Sequence, residues 1–416
     1  MKKIFYNTLT LIAGLTLLAS CNLEKYPDTA INKEEAMESP ADCYNFLTGL
    51  YASTKSLYSG VYTYSTDLMT DCYHAIKNFG NWDGDFYHYN IVASNSSVEA
   101  VWNNFYAYIG NANFLISGTN KLLESGTLST ADEATVQEYY GEACFLRALM
   151  YFKLTEYFCK AYDKSTAEAT FGVPVVTEYA PTAVSSKYPH RGSLAATYAQ
   201  IDKDLTEAEK FVTTAGSANS KFVNKDIVTA LRARFALSAQ DYTTAYEKAN
   251  SLIEGQKYAL VTDAEAYADG WLNDNLSETL WQPVIVDASD GGSANSYFIN
   301  NTSGADGADD PQYLPEDWVL KLYDTVSDIR YNAYFEKRTI NIRGNNGDLV
   351  VLVKFPGNPK LNTSAASRYV NMPKIFRISE MYLIAAEAAY NNGNESAASA
   401  VLNDLKSARI TGWKKT

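Results

Sequence analysis

Apolar positions recur at helical spacing through most of the chain. The stretch 34–57 carries Tyr44, Leu47 and Tyr51 on one face, after a turn-and-cap signal at Ser39-Pro40-Ala41-Asp42. Val98–Glu124 repeats the pattern with Val101, Phe105, Tyr108, Ala112 and Leu115. From Ala131 to about Phe158, Val136, Tyr139, Ala143, Leu146 and Met150 mark one face. Phe145, Leu149 and Phe152 mark a second, so this helix is predicted to be buried centrally. Ser193 can cap a helix to Val212 through Leu194, Tyr198, Ile201, Leu205 and Ala208. Shorter helices are predicted at 224–239, 242–254, 376–391 and 395–410.

Two stretches break the period. Residues 59–97 are rich in Tyr, Asn, Gly and Ser, which is loop chemistry carrying aromatics. From Leu260 to Gly357 only short strand-like runs stand out, such as Leu349–Lys354. Gly172-Val173-Pro174-Val175-Val176 reads as an extended segment. The helix pairs are rich in alanine where they would touch: Ala230/Ala233/Ala236, Ala245/Ala249 and Ala385/Ala386/Ala388/Ala389. Small residues let helices approach closely. The pattern resembles degenerate tetratricopeptide pairs, each burying its face only against the next. The predicted fold is therefore mainly α, with helix pairs forming a scaffold and the two irregular stretches displayed as insertions. Insertions commonly carry function.

The N-terminus changes this picture. Lys2 and Lys3 precede a short apolar run, Leu9–Leu18, and then Ala19-Ser20-Cys21. A run of about 10–14 apolar residues is a signal core, since a membrane span needs about 20. Small residues before a cysteine resemble the bacterial lipobox, in which the thiol is alkylated and cleavage leaves that cysteine first. Residues 1–20 are thus predicted to be a lipoprotein signal and Cys21 the lipid anchor. Residues 21–33 form a tether, and 34–416 a single domain with parts 34–215 and 216–416. More than one acyl chain is needed for stable anchoring.

Composition narrows the function. A net charge of -13 argues against nucleic acid and against a basic membrane face. With three histidines (His74, His88, His190) and no CxxC spacing, no zinc site is expected. Asp306-Gly307-Ala308-Asp309-Asp310 hints at a structural Ca2+ but lacks the spaced ligand series of an EF-hand, so no cofactor is assigned. Cys144 and Cys159 fall on one helix about 22 Å apart, too far to bond. A Cys43–Cys72 disulfide stays open, because export permits one. Tyrosine is over-used, at 32 against 17 Phe and 6 Trp. A flat apolar face with a polar tip suits ligand contact as well as helix packing. No nucleophile elbow or Cys/His arrangement stands out. Asp83 and Asp85 beside Trp82 are the nearest pair to a glycosidase's two carboxylates, and read better as solvated or hydroxyl-binding acids. No enzyme is predicted.

Blocks in a fixed order resemble the SusD/RagB family of Bacteroidetes outer-membrane lipoproteins. They begin with the lipobox and Glu24-Lys25-Tyr26-Pro27. Next come Gly141-Glu142-Ala143-Cys144-Phe145-Leu146-Arg147-Ala148, Gly172-Val173-Pro174 and Arg191-Gly192-Ser193. Ala230-Leu231-Arg232-Ala233-Arg234 and Asp328-Ile329-Arg330 follow. The strongest runs from Arg377-Ile378-Ser379-Glu380 to Ala386-Glu387-Ala388. Family members usually continue beyond Leu402-Asn403-Asp404-Leu405-Lys406, so the resemblance implies a C-terminally shortened member. It also implies an α/α superhelix that binds glycans at the cell surface over a SusC-like TonB-dependent transporter. Some members bind peptides instead. A tethered scaffold or adhesin without a small ligand is a third reading, and a glycoside hydrolase a distant fourth.

Glycan binding needs aromatic faces for sugar C–H groups and polar side chains for hydroxyls. Asn81, Trp82, Asp83, Tyr87 and Tyr89 are the candidates in the first insertion, with Tyr297, Phe298 and Tyr313 in the second. Trp102, Trp271, Trp281, Trp318 and Trp413 are assigned mainly to packing. Glu380 and Glu387 are expected to partner Arg377 or backbone groups.

Overall fold

A computed structural model describes residues 36–75, 84–287, 290, 311–342, 345–361 and 369–415. The leader, Cys21 and the tether lie outside these residues. So do Asn81, Trp82, Asp83, Tyr297, Phe298 and the Asp306–Asp310 stretch.

Each long helix starts where a side chain satisfies the free N–H groups of its first turn. For α1 (Pro40–Ser56), Ser39 and Asp42 form a reciprocal capping box. Asn95 caps α4 (Ser96–Glu124), which follows two short helices, α2 (Val61–Leu68) and α3 (Gly84–Tyr87). Ser129 caps α5 (Thr130–Phe158) and Ser193 caps α6 (Leu194–Phe211). Asn224 and Asp241 cap the pair α7 (Lys225–Ser238) and α8 (Tyr242–Glu254). No helix among the described residues is long and apolar enough to cross a membrane.

The helices pack as a consecutive stack. α4 lies on α5, α5 on α6, and α7 on α8. α8 then packs against α12 (Ile378–Asn391), which pairs with α13 (Glu395–Arg409). The stack therefore skips everything between α8 and α12. All of Ala230, Ala233, Ala245, Ala249, Ala385 and Ala388 are fully buried, as close helix approach requires. The central position predicted for the second long helix holds: Phe145, Leu149 and Met150 of α5 are inaccessible to solvent.

The two irregular stretches do not stand apart; they build one second core. Tyr64, Leu68 and Phe86 from the first meet Tyr267, Trp271, Tyr313, Tyr334 and Leu352 from the second. Strand β1 (Tyr73–Ala75) pairs antiparallel with β3 (Tyr313–Pro315), joining residues some 240 positions apart. Helix α9 (Ala264–Leu272) and the short α10 (Asp317–Leu320) and α11 (Tyr331–Tyr334) surround that core. A hairpin follows, β4 (Phe335–Ile342) with β5 (Asn345–Leu352). At the neck, β2 (Thr279–Trp281) pairs with β6 (Phe376–Arg377), closing the insertion before α12 returns to the stack.

Several expectations are corrected. The first helix begins at Pro40 rather than near residue 34, because proline suits the first helical turn. The strand around Leu349 ends at Leu352 and starts at Asn345. No Cys43–Cys72 disulfide forms: Cys43 is buried in α1, and Cys43, Cys72, Cys144 and Cys159 are all free thiols. Trp271 and Trp281 are core residues, but Trp318 is 48% exposed, held by its indole N–H donating to the Asp71 carbonyl at 2.9 Å. Glu380 pairs with Arg234 at 2.6 Å, not with Arg377, and Glu387 is exposed.

Candidate functional site

Where the second core meets the stack there is a cavity of about 190 Å³. The end of α1 and the turn after it supply Lys55 and Tyr58. Helix α2 supplies Thr63, Tyr64 and Asp67, and β1 supplies Tyr73. The chain leaving β5 adds Lys354 and Phe355, and the run into β6 adds Asn371, Pro373 and Lys374. Both insertions and the scaffold thus contribute walls.

The rear of the cavity is fixed by Asp274. Its carboxylate accepts from Lys374 Nζ at 2.8 Å, from Asn358 Nδ2 at 2.8 Å and from Asn371 Nδ2 at 3.2 Å. Asp274 and Lys374 are each about 1% exposed at the side chain, so this is a fully internal ion pair. Burial pushes the Lys374 amine down, against the pull of Asp274. Lys55 is likewise occupied, paired with Asp290.

Lys354 is different. Its ammonium sits 4.9 Å from the ring centre of Trp271, 5.0 Å from Tyr334 and 5.7 Å from Phe355. Among the described residues it makes no ion pair or hydrogen bond. Burial, with Arg377 and Lys374 nearby, pushes its amine down to about 7, while Asp67 pulls the other way. Burial correspondingly raises the Asp67 carboxyl, with Lys354 opposing. The Tyr58 hydroxyl is buried and has no partner among the described residues. Burial also holds Tyr58 and Tyr73 well above the usual phenol range. The site therefore offers aromatic walls, a hydroxyl and an amine without partners, and no nucleophile activated by a base. This is binding chemistry.

A larger groove of about 520 Å³ lies across α6, α7 and α8. Tyr162 and Tyr198 stack there at 4.2 Å. Its charges satisfy one another: Arg232 binds Asp202 and Glu209, and Lys248 binds Glu209. We favour the smaller cavity because two of its polar groups, the Tyr58 hydroxyl and the Lys354 amine, lack partners among the described residues, and a buried polar group is costly until it is paired.

Of the residues picked from the sequence, the three described ones, Tyr87, Tyr89 and Tyr313, do not line this cavity. Tyr313 is fully buried in β3 with Tyr87 against it, 5.8 Å between ring centres, so Tyr313 is a core residue and not a ligand contact. Tyr89 is 66% exposed, adopts a left-handed backbone (φ 56°) and donates its hydroxyl to the Met69 carbonyl. Asp85 is exposed and accepts from Asn95 Nδ2 at 3.2 Å. Neither Tyr87 nor Tyr89 lines the cavity. No cluster of metal-ligating side chains occurs among the described residues.

Residues 22–237 match the family described as starch-binding and associating with the outer membrane, and residues 323–410 match the SusD family. The chain belongs to the SusD family. Along 97% of its length this SusD-family chain is 23% identical to the SusD-like protein P38 of Formosa agariphila, covering 81% of that protein. Its fold is similar to that of a SusD superfamily protein from Bacteroides thetaiotaomicron, with a TM-score of 0.75 and 27% identity over 90% of this chain and 81% of that one. It also shares its fold with surface glycan-binding protein A of Bacteroides fluxus, at a TM-score of 0.68 and 17% identity over 90% and 82% of the two chains. The helical tetratricopeptide-like scaffold predicted from periodicity is the SusD-family scaffold.

Reading the sequence missed Tyr58, Asp67, Lys354 and Lys374. The available signal was weak: Lys354 ends an apolar run, Leu349–Val353, where a lone amine must either reach solvent or be enclosed.

Proposed function

We propose that this SusD-family chain is a glycan-binding outer-membrane lipoprotein. It is anchored through Cys21, faces outward, and passes oligo- or polysaccharide to a SusC-like TonB-dependent transporter. It has no catalytic role. The observation that carries this reading is the cavity at the junction of scaffold and insertions. Aromatic walls suit the C–H faces of a sugar, and the unpartnered Tyr58 hydroxyl and Lys354 amine suit its polar edge. Family membership supports the anchoring and the transporter partner, and the sequence of residues 1–21 supports the lipid.

Affinity electrophoresis through gels containing single polysaccharides tests the binding. At least one glycan should retard the protein. Tyr58→Phe should weaken that retardation several-fold without loss of folding, since it removes only a hydroxyl that has no partner among the described residues. If no polysaccharide retards the wild type, glycan binding is wrong. Co-purification from intact outer membranes tests the partner: absence of any TonB-dependent transporter, with Cys21 acylated, would remove that part of the reading.

A further inference from the structure

One amine of the cavity lacks a contacting counter-ion among the described residues, which a neutral sugar would leave uncorrected. Among the described residues three amines line it, from Lys55, Lys354 and Lys374, with one carboxylate, that of Asp67. Lys55 and Lys374 are already paired, with Asp290 and Asp274. Lys354 is not. Behind it, the Arg377 guanidinium carbon lies 5.3 Å from the same Trp271 ring that Lys354 and Lys374 each approach to 4.9 Å. Arg377 has no ion pair among the described residues. Three cations thus surround one indole, and among the described residues Asp274 is the one carboxylate in direct contact with any of them. Aromatic faces attract cations, but like charges so close repel, and burial weakens screening. Such a cluster stands out in a chain whose net charge is -13.

We infer that the cavity selects glycans bearing an anionic substituent, a carboxylate or a sulfate ester, with Lys354 as its counter-ion. The inference rests on the glycan-binding reading and narrows it. The anion would take the place of the missing partner, and the indole, phenol and phenyl rings around Lys354 would exclude water from the contact. Arg377 and Lys374 would add attraction without direct contact. The Asp67 carboxylate in the lining would accept a hydrogen bond from a hydroxyl of the same sugar. A volume of about 190 Å³ suits one charged sugar end rather than a chain. The excess of negative charge elsewhere disfavours indiscriminate polyanion binding, so retention of an acidic glycan would be specific.

The test compares two sets of glycans at about physiological salt, where non-specific charge attraction is screened. The neutral set is starch, dextran and laminarin. The acidic set is polygalacturonate and alginate for carboxylates, and dextran sulfate and chondroitin sulfate for sulfate esters. Wild type should be retarded by a member of the acidic set. Lys354→Met should weaken that binding at least tenfold, and Lys354→Arg should restore part of it. Titration calorimetry in two buffers of different ionisation enthalpy should show proton uptake on binding at pH 8, absent in Lys354→Met. The charged groups that act on Lys354 in that titration are Asp67, Lys374 and Arg377, with Tyr334 against it and Tyr58 and Tyr73 in the same lining. Retention by neutral glycans alone overturns the inference and leaves glycan binding standing. Equal retention of an acidic glycan by Lys354→Met overturns it as well. Silence from both sets overturns both.

Discussion

Removing the carboxylate from the buried pair Arg147–Asp204 should unfold the scaffold more readily than any surface change. Arg147 comes from the middle of α5. Its Nε and Nη2 donate to Asp204 of α6 at 2.8 and 2.6 Å, a bidentate clasp between neighbouring helices. The same guanidinium reaches Asn113 of α4 at 2.8 Å, so three helices meet in one network. The side chains are 7% and 1% exposed. Burial alone would lower the arginine's affinity for its proton, yet Asp204 outweighs it and holds the guanidinium above its usual range. Two charges about 4 Å apart at an effective dielectric of about 20 attract by about 4 kcal/mol. Breaking one side of such a pair strands the other, at a cost of about 3–5 kcal/mol. Asp204→Ala should therefore destabilise by about that much. With an unfolding entropy of about 2 cal/mol/K per residue over the chain, the melting temperature should fall by about 4–6 °C. Replacing both partners, Arg147→Met with Asp204→Leu, removes the stranded charge and should recover most of the loss. Differential scanning calorimetry and urea titration read both. A fall below about 1 °C for the single variant, or a double variant no better than the single, would refute the argument.

Two further outcomes follow from other buried groups. Glu142 accepts a hydrogen bond from Tyr51, whose hydroxyl in turn accepts from the Val223 amide at 2.9 Å. Burial pushes the Glu142 carboxyl up to about 8, with the Tyr51 bond opposing and Glu138 adding. The folded chain thus holds a proton that the unfolded chain releases near pH 4.3. Stability should fall as pH rises from about 5 to 8, by at most about 1.4 kcal/mol per unit. Glu142→Gln should flatten that slope and gain most over wild type at pH 8, and equal urea midpoints at pH 5.5 and 8 in the wild type would contradict it. At Gly172, a Cβ would overlap the Ser193 carbonyl oxygen and Thr197 Oγ1. Gly172→Ala should cost about 1–3 kcal/mol by thermal melting while leaving glycan retention by the folded fraction unchanged.

The scaffold was legible because each long helix declares itself twice, by apolar spacing and by a capping side chain. Ser39 and Ser193 both cap where the sequence placed them. Alanines at contact faces fixed which helices could approach closely. The insertions were legible only as irregular chain. A three-residue strand such as Tyr73–Ala75 has too few positions to show a period, and its partner at Tyr313–Pro315 is remote in sequence. Composition also misled. Tyr313 lies in a stretch that reads as exposed loop, yet pairing with β1 draws it into the core. Tyrosine's polar tip allows either fate, and only the pairing decides.

The site was illegible for a related reason. Asp67 and Lys354 are ordinary surface residue types, 287 positions apart. Nothing local distinguishes them from a solvated acid and amine. Their chemistry appears only when the second core closes over the end of the stack, turning a soluble lysine into an enclosed one with aromatic neighbours and no ion pair among the described residues. That arrangement opposes the stability of the empty protein. Enclosing an unpaired ammonium and an unpaired phenol costs free energy that apolar residues at the same positions would avoid. Lys374 shows that the same fold can neutralise a buried amine, since Asp274 does so one segment away. Among the described residues no equivalent acid contacts Lys354, though the fold could have supplied one. That is intelligible if the counter-ion arrives with the ligand.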